Sequence, residues 1–344
     1  MTDKKVKRIL AVNFGGIGDE LLFFPVIQSL REAYPSAWIS VLVEPRCRGI
    51  MRFNPAIDEV LEFDVKNHPS LGDFLRVATE LREKTFDLAL ASGTSPAIPL
   101  LLFLTGAPQR IGYAASFLSF LLTEKVPLSK EQYAAEMYYD LIKKSCPLDF
   151  RLPQILVAPE ETAWARAFLG ETKKPVILFH PGVSQMGIRK GILKSWPAEK
   201  WASLIDRTIE RGCTAVLAGG PDDEEAILEI REKLTSSPLV AAGETKGIGQ
   251  LAGLISVADV LVCVDSAPMH LAVAAGTPVV AIFGPTDPKK LLPSGTRHQA
   301  IFVPGLECRP CLWSTRSKSC PELSCLTGIT VEMVETALLK VGVS

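Results

Sequence analysis

The sequence predicts an α/β protein made of two Rossmann-like halves, each built on a parallel sheet. Short apolar runs typical of buried strands alternate with amphipathic stretches typical of helices. The alternation is interrupted once, by the proline-rich segment Pro147–Pro159, and 344 residues exceed the usual size of one domain. Because ligands of open parallel sheets lie outside the carboxyl ends of the strands, we expect the halves to face a central crevice with their post-strand loops.

The elements of the first half follow from the period of its apolar residues. Strands are expected at Arg8–Val12, Trp38–Val43, Val60–Phe63, Phe86–Ala91 and Arg110–Tyr113. Helices are expected at Asp19–Glu32, Asp73–Glu83 and Glu131–Lys144. In the first helix Leu22, Val26 and Leu30 recur at helical spacing, which places them on one buried face. Strands separated by helices of this length indicate parallel βαβ units.

The second half restarts the alternation. Strands are expected at Val176–His180, Ala215–Ala218, Val260–Val264 and Pro278–Phe283, with an edge strand ending at Val240. Helices are expected at Glu160–Leu169, Ala198–Arg211, Asp222–Leu234, Ile248–Val257, Met269–Ala275 and Val331–Val341. We therefore expect domains over residues 1–155 and 156–328, followed by a C-terminal helix within 329–344 that packs back toward the N-terminal domain.

Composition limits the possible functions. A hydrophobic content of 47% with 22% charged residues is typical of a globular protein, and a net charge of −1 argues against a nucleic-acid binder. The apolar runs Ala97–Thr105 and Phe117–Leu122 are too short to span a membrane, and core packing is the expected role of the latter. The N-terminal run Ile9–Val12 is too short for a signal peptide, so we expect a cytoplasmic protein, with peripheral contact to the inner face of the cytoplasmic membrane left open.

The stretch Val264–Pro288 predicts a strand end, a polar turn, a short helix and another strand. Asp265 and Ser266 are typical N-cap residues, and Gly276 is typical of a helix end. A helix N-terminus that follows a strand also binds anions, because free N–H groups and the positive dipole end point outward. His270, one turn into the helix, is placed to donate to such an anion, although a lone histidine is more often structural. The residues leave both the capping role and the binding role open.

The loop after the first strand, Asn13–Glu20, is glycine-rich and carries two carboxylates. A dinucleotide fingerprint would need glycine where Leu21 stands, and Asp19 and Glu20 would repel a pyrophosphate. A glycine-lined loop that presents a carboxylate suits a general base, because substrate can approach the backbone closely. Asp19 is equally explained as a first-turn acid that the helix dipole favours.

Two loops of the second half suit a nucleotide diphosphate. The loop His180–Ser184 runs on to Lys194, whose point charge suits a leaving diphosphate, although cation-rich loops are usually only solvated. The turn Gly219–Glu225 places acids at a helix start, where they bind ribose hydroxyls or only serve the helix dipole.

These stretches coincide with motifs of a known family. The motifs are a G-x-G-D loop, an H-P-G segment followed by K-x-W-P-x-x-x-W, a G-G-P-x-(D/E)-x-E turn, an R-I-G element, and D-S-x-x-x-H-L followed by G-T-P-x-x-x-x-F-G-P-T-D-P. From Ile9 to Pro288 the chain resembles the family 9 glycosyltransferases, the ADP-heptose:lipopolysaccharide heptosyltransferases. The resemblance implies the GT-B fold and an inverting, metal-independent transfer of heptose from ADP-heptose, with no cofactor.

The resemblance also implies roles for individual residues. Asp19 matches the general base that activates the acceptor hydroxyl, and Lys194 matches the lysine that stabilises the diphosphate leaving group. The donor-binding positions are Ser184, Gly219, Gly220, Asp222, Glu224, Asp265, Ser266, Ala267, Met269 and His270. The acceptor-binding candidates are Gly16, Gly18, Arg46, Arg48 and Arg52. The acceptor is expected to be an acidic, lipid-linked lipopolysaccharide core at the inner membrane surface, and the protein is expected to be a monomer that binds no nucleic acid.

Two features depart from the best-known members of the family. Gln185–Leu193 is not their acidic loop, so sugar contacts there are not assigned. Cys308, Cys311, Cys320 and Cys325 form C-x2-C-x8-C-x4-C, a spacing that allows a structural zinc site. Free thiols in a reducing compartment explain the same cysteines equally well.

Other functions share parts of this pattern. A GT-B transferase or epimerase that uses another nucleotide sugar would have the same fold. An NAD-dependent oxidoreductase is disfavoured by Leu21, and a binding protein without catalysis is disfavoured by the joint presence of Asp19 and Lys194. No G-x-x-x-x-G-K-[ST] or G-x-S-x-G motif occurs, which argues against P-loop ATPases and α/β-hydrolases.

Overall fold

The computed structural model of the chain describes residues 6–183, 185–189, 191–312, 320 and 322–343. The chain divides into two compact units, Met1–Leu156 and Val157–Ser344. Each unit is built on one six-stranded sheet whose paired strands are parallel. Among the helices of the described residues, none combines the length and the apolar character that crossing a membrane requires.

The first unit has its sheet in the order β3-β2-β1-β4-β5-β6. The strands are β1 (Arg8–Val12), β2 (Trp38–Val43), β3 (Glu59–Glu62), β4 (Leu88–Ala91), β5 (Gln109–Tyr113) and β6 (Glu124–Val126). The helices are α1 (Ile17–Ala33), α2 (Arg48–Met51), α3 (Leu71–Glu83), α4 (Ala97–Leu104) and α5 (Ala134–Tyr139), with 3-10 turns at Pro45–Cys47 and Phe117–Leu121.

Local sequence explains these elements. In β1 every residue from Ile9 to Val12 is buried, which is typical of a strand covered on both faces. Ser70 caps α3: its hydroxyl accepts from the Asp73 N–H, and the Asp73 carboxylate accepts from the Ser70 N–H. Helix α4 carries no charged residue, and its buried side joins the core of this unit through Ile98, Leu101 and Leu102.

The second unit repeats this topology with the order β12-β11-β10-β7-β8-β9. The strands are β7 (Val176–His180), β8 (Thr214–Leu217), β9 (Leu239–Val240), β10 (Val260–Val264), β11 (Val279–Ile282) and β12 (Gln299–Ile301). The helices are α6 (Pro159–Leu169), α7 (Gln185–Arg189), α8 (Ala198–Glu210), α9 (Glu224–Lys233), α10 (Ile248–Val257), α11 (Ala267–Ala275), α12 (Pro288–Leu291), α13 (Ser324–Thr327) and α14 (Val331–Lys340), with a 3-10 turn at Pro221–Asp223. In both units the strands therefore follow the order 3-2-1-4-5-6 of a Rossmann sheet.

The C-terminal helix α14 packs within the second unit. Val334 and Leu338 belong to its buried core, and Glu335 forms ion pairs of 2.9 and 2.7 Å with Arg207 and Arg211 at the end of α8. These contacts place α14 in the second core. The expectation that this helix packs back toward the N-terminal domain stays a prediction. The apolar face of α14 has its partner in α8 and the neighbouring strands, so it completes the second core.

The α/β class and the larger elements are as predicted, whereas small elements differ. The helix expected over Glu131–Lys144 is limited to α5, and turns follow it. The edge strands β6 and β12 are too short to leave a periodic signal. The 3-10 turn Phe117–Leu121, which was expected to pack in the core, exposes Phe117 and Phe120 to solvent.

Two adjacent leucines of α14 test its packing. We expect Leu338→Ala to lower the free energy of unfolding by about 2–5 kcal/mol, because Leu338 is buried in the second core. Leu339 is 56% exposed, so Leu339→Ala should change stability by less than about 0.5 kcal/mol. Urea unfolding of the two variants measures the difference, and equal losses would contradict the packing of α14.

Candidate functional site

The reversal of strand order marks one position in each sheet. In the first unit it lies between β1 and β4, and in the second between β7 and β10. Loops that follow the strands on either side of a reversal run in opposite directions, which leaves a cleft beyond the carboxyl ends of those strands. Most of the site residues that the sequence indicates follow β1, β7 or β10 directly.

Beyond β10, Asp265 is held by two partners. Its Oδ2 atom lies 2.6 Å from the Nζ atom of Lys194 and accepts a 2.7 Å hydrogen bond from the hydroxyl of Thr286. Asp265 and Thr286 are buried, and Lys194 is mostly buried. Lys194 also donates to the Asp265 carbonyl oxygen at 3.3 Å. The structure thus fixes an ammonium group in front of the β10–α11 turn, although Lys194 and Asp265 are distant in sequence.

The turn itself leaves the start of α11 open. Ser266 occupies the N-cap position, but its hydroxyl donates to the Val264 carbonyl oxygen instead of accepting from the helix. The hypothesis that Asp265 and Ser266 serve only as caps is therefore wrong. A helix start with no side-chain cap and a lysine beside it suits an anionic ligand. At the other end, Gly276 ends α11 with φ +77°, a conformation that favours glycine.

Of the remaining donor candidates on α11, Met269 and His270 are buried, whereas Ala267 is half-buried at the helix start. Ser184 lies outside the described residues. In the segment Gln185–Leu193, residues 185–189 form the short helix α7, and residue 190 lies outside the described part of the chain.

In the glycine turn after β8, the acid that points inward is not one of the two that the sequence analysis selected. Asp222 and Glu224 are exposed, whereas Asp223 is buried. The Asp223 carboxylate accepts a 2.8 Å hydrogen bond from the Gly220 N–H, and a Cβ atom on Gly182 would lie 1.9 Å from it. Sequence reasoning missed Asp223 because adjacent acids at a helix start look alike without their side-chain directions.

His180 ends β7 beside this acid. Its Nε2 atom lies 3.7 Å from Asp223 Oδ2, and its Nδ1 atom has no hydrogen-bond partner among the described residues. Burial lowers the pKa of His180, although the nearby Asp223 carboxylate acts in the opposite direction. The loop that follows His180 borders a cavity of about 210 Å³, which Trp196 and Trp201 line on one side and Asp222 on the other.

In the first unit, Asp19 occupies the first turn of α1. Its Oδ2 atom accepts a 2.7 Å hydrogen bond from the Gly16 N–H, and its Oδ1 atom accepts one of 3.3 Å from the Tyr138 hydroxyl. Its carbonyl oxygen accepts from Asn13, which in turn accepts a 2.7 Å bond from Ser92 beyond β4. Loops from both sides of the strand reversal thus hold Asp19.

Asp19 also lines a cavity of about 580 Å³ within the first unit. The wall is largely aromatic and aliphatic, with a few hydroxyl groups. It includes Phe14, Phe63, Val65, Phe74, Ser92, Thr94, Ser95, Ile98, Leu101 and Tyr138. A half-buried carboxylate that caps a helix with one oxygen and faces a cavity is able to accept a proton from a bound hydroxyl group.

The neighbouring acid Glu20 is in a different environment. It is buried, and its Oε1 atom has no hydrogen-bond partner in the described part of the chain. Burial raises the pKa of Glu20 well above its usual value, the Asp19 charge raises it further, and a hydrogen bond from Asn13 and the charge of Lys66 oppose these effects. The two adjacent carboxyl groups are therefore inequivalent.

The three arginines that follow β2 have separate surroundings. Arg46 donates to the Gly15 carbonyl oxygen at 3.4 Å, Arg48 forms an ion pair with Glu62, and the Arg52 guanidinium lies 5.8 Å from the centre of the Phe53 ring. The structure places Arg46 at the Asp19 loop, together with Gly16 at the start of α1 and Gly18 in its first turn.

Sequence reasoning missed Lys66 at this loop. Its Nζ atom donates to the Gly15 carbonyl oxygen at 3.2 Å. Burial and the neighbouring Arg46 charge lower the pKa of Lys66. The available signal was its position in the loop after β3, the same kind of place that drew attention to Asp19.

The cysteine cluster does not form the site that its spacing allows. Cys325 is buried and Cys308 is exposed. Burial raises the pKa of Cys325, and the nearby Cys311 and Cys308 thiols add to this effect. Within the described ranges, which include all four cysteines of the cluster, no three His, Cys, Asp or Glu side chains are arranged to hold a metal ion. The structure therefore gives the zinc hypothesis no support.

Gly182 provides a test of the Asp223 arrangement. We expect Gly182→Ala to displace the Asp223 carboxylate and to lower the free energy of unfolding by about 1–3 kcal/mol, because the new Cβ atom would overlap it. Gly220→Ala is a matched control, since its Cβ atom would lie 3.9 Å from Asp223 Oδ2, an ordinary contact. Thermal unfolding compares the variants, and equal stability of both would contradict the close approach.

Glu20→Gln tests the raised pKa. An acid whose folded pKa exceeds its unfolded value contributes stability at low pH and loses it as pH rises through the folded pKa. Below about pH 4.5, we expect the difference in free energy of unfolding between the variant and the wild type to stay constant with pH. Above that pH, the free energy of unfolding of the variant should rise relative to that of the wild type by up to about 1.4 kcal/mol per pH unit, until the pH passes the folded pKa of Glu20. Unfolding at several pH values measures this, and a constant difference would contradict the burial of a titrating Glu20.

Comparisons with known proteins agree with this geometry. Residues 74–321 match the domain of glycosyltransferase family 9 (heptosyltransferase). Lipopolysaccharide heptosyltransferase 2 of Escherichia coli (strain K12) is 30% identical over 311 residues, which cover 86% of this chain and 87% of that protein.

Solved structures extend the likeness to the whole fold. A family 9 glycosyl transferase from Veillonella parvula has a TM-score of 0.81 and 25% identity, covering 97% of both chains. The Escherichia coli ADP-heptose lipopolysaccharide heptosyltransferase II has a TM-score of 0.75 and 26% identity, covering 97% of this chain and 99% of that one. The chain belongs to glycosyltransferase family 9, the heptosyltransferase family, and is a glycosyltransferase of the GT-B fold, as its motifs predict.

Proposed function

We propose that the protein transfers a heptosyl group from ADP-heptose to a lipopolysaccharide inner-core acceptor with inversion at the anomeric carbon. Asp19 is the observation that carries this proposal. Its carboxylate is held at the carboxyl end of β1, is half-buried, and lines the 580 Å³ cavity that is large enough for a sugar residue. The related Escherichia coli proteins, named for lipopolysaccharide and ADP-heptose, support this substrate pair.

The donor side rests on the second unit. A diphosphate bound at the start of α11 would meet the uncapped helix N-terminus at Ser266 and Ala267 and the ammonium group of Lys194. Asp265 holds that ammonium in place, so little reorganisation is needed when charge develops on the leaving group. In this proposal the inward acid of the glycine turn, Asp223, keeps the turn closed, and the ribose hydroxyls bind at the exposed Asp222 and Glu224.

The acceptor side rests on the first unit. The aromatic wall of the Asp19 cavity suits the apolar face of a sugar ring, and the hydroxyl groups of Ser92, Thr94 and Ser95 suit its polar edge. Arg46 and Lys66 at the Gly15 carbonyl supply positive charge for phosphates or acidic sugars of the acceptor.

The proposed reaction then has two coupled parts. Asp19 accepts the proton of the acceptor hydroxyl as its oxygen forms a bond to the anomeric carbon. On the opposite face of the sugar, the bond from the anomeric carbon to the β-phosphate oxygen breaks, and ADP leaves with the electron pair beside Lys194. Base assistance typically contributes about 10²–10⁴-fold, and stabilisation of the leaving diphosphate is usually the larger contribution. The step uses no cofactor.

Asp19→Asn tests the role of the base. We expect turnover of ADP-heptose with truncated core acceptors to fall by about 10²–10⁴-fold, because the amide cannot accept the proton. Binding of ADP-heptose, measured as a shift in melting temperature, should persist. Other nucleotide sugars tested in the same way should give smaller shifts, which distinguishes this donor from that of another GT-B enzyme.

Asp73→Asn is the matched control. Asp73 occupies the same first-turn position in α3 and accepts from the Ser70 N–H, as Asp19 accepts from the Gly16 N–H. Both variants replace a charged acceptor in the first turn of a helix by a neutral amide, a change worth about 0.3–1 kcal/mol, so both should lose a similar amount of stability. Normal turnover in both would show that Asp19 only caps its helix and would exclude it as the base.

A further inference from the structure

The first unit exposes an unusual set of aromatic side chains. Phe117 and Phe120 on the 3-10 turn are 78% and 66% exposed, and Phe103 on α4 is 47% exposed. Helix α4 packs against this turn, and Arg110 contacts both, with its guanidinium over the Phe103 ring and a hydrogen bond to the Leu121 carbonyl oxygen. The three exposed rings are here called the aromatic patch. A contiguous apolar surface of this kind marks an interaction site more often than scattered exposed residues do.

The backbone beneath the patch is held firmly, so the outward rings are not a consequence of a loose loop. Ser119 is buried, and its hydroxyl donates to the Tyr113 carbonyl oxygen at 3.2 Å. Leu122 is buried against Gly112 of β5. With Ser119 and Leu122 anchored inward, the 3-10 turn directs Phe117 and Phe120 to solvent.

Positive charge lies within and beside the patch. The guanidinium of Arg110 lies 5.6 Å from the centre of the Phe103 ring and hydrogen-bonds the carbonyl oxygens of Leu121 and Ala107. No carboxylate of the described residues pairs with it. The exposed Lys125 follows on β6. Aromatic rings beside unneutralised cations are the combination that binds to an anionic lipid surface.

The patch and the candidate acceptor site share helix α4. Ala97, Ile98 and Leu101 of α4 line the Asp19 cavity, while Phe103 of the same short helix belongs to the patch. A lipid-linked acceptor whose sugar enters this cavity has its lipid portion in a membrane, and α4 would join the two. This step rests on the proposed function.

We propose that the aromatic patch docks the first unit on an anionic phospholipid bilayer, with Phe117 and Phe120 inserted between the headgroups and Arg110 facing the lipid phosphates. The guanidinium of Arg110 lies over the Phe103 ring, so this positive charge lies at the patch itself.

Vesicle co-sedimentation of the full chain tests the proposal. The wild type should bind vesicles of phosphatidylethanolamine and phosphatidylglycerol more tightly than vesicles of phosphatidylcholine, and added salt should weaken the binding. The double variant Phe117→Ser and Phe120→Ser should bind the anionic vesicles at least about tenfold more weakly, because the inserted apolar area is lost. Its melting temperature shows whether it folds.

The matched control is the double variant Leu228→Ser and Leu339→Ser in the second unit, which removes two leucines that are 50% and 56% exposed. It should bind vesicles as the wild type does. Equal binding by the wild type and the phenylalanine variant, or no binding by the wild type, would overturn the proposal. A change of oligomeric state in the phenylalanine variant, seen by sedimentation velocity, would assign the patch to a second copy instead.

Failure of this inference is distinguishable from failure of the proposed function. Vesicle binding needs no donor, and transfer to a water-soluble truncated acceptor needs no membrane. The phenylalanine variant should retain transfer to the soluble acceptor. Loss of transfer by the Asp19 variant with normal vesicle binding would separate the two surfaces.

Discussion

The reversal of strand order at the centre of each sheet is the constraint on which the candidate site depends. Because β4 pairs with β1 on the side opposite β2, the loops after β1 and β4 diverge, and the same holds for β7 and β10. Asp19 and Ser92 are connected through Asn13 across one reversal. Asp265 meets the Lys194 ammonium at the other. The divergence of the loops leaves a cleft at each reversal, and these side chains lie beside it.

The helices that start at these reversals, α1 and α11, differ in how their N-termini are capped. The difference matches the chemistry proposed for each. Asp19 caps α1 with one carboxylate oxygen, so the positive end of that helix already has an anion. In α11 no side chain caps the start, since Ser266 donates to the preceding strand and Asp265 is turned toward Lys194. The first arrangement favours a fixed carboxylate base, and the second favours an external anion such as a diphosphate.

Much of the fold was predictable because buried parallel strands such as Ile9–Val12 are continuous apolar runs and the helices between them are amphipathic. The positions of Asp19 and Asp265 were predictable for the same reason, since they follow strands β1 and β10, and Lys194 was indicated by its place just before the start of α8. The inward direction of the Asp223 side chain was not predictable from the sequence, because it depends on how closely the backbone of Gly182 approaches the Asp223 carboxylate. Tertiary packing also decided the place of α14, whose apolar face suits either unit by sequence alone.

The adjacent acids Asp19 and Glu20 illustrate how packing separates residues that sequence treats alike. On a helix, consecutive side chains point about 100° apart, so Asp19 reaches the cavity while Glu20 is carried into the core. A second ionised carboxylate there would repel the charge that develops on an acceptor oxygen. Burial and the Asp19 charge raise the pKa of Glu20 well above its usual value, so Glu20 ionises less readily than an exposed glutamate. In the proposed function, the core of the first unit thus keeps the Glu20 carboxyl group away from the acceptor oxygen.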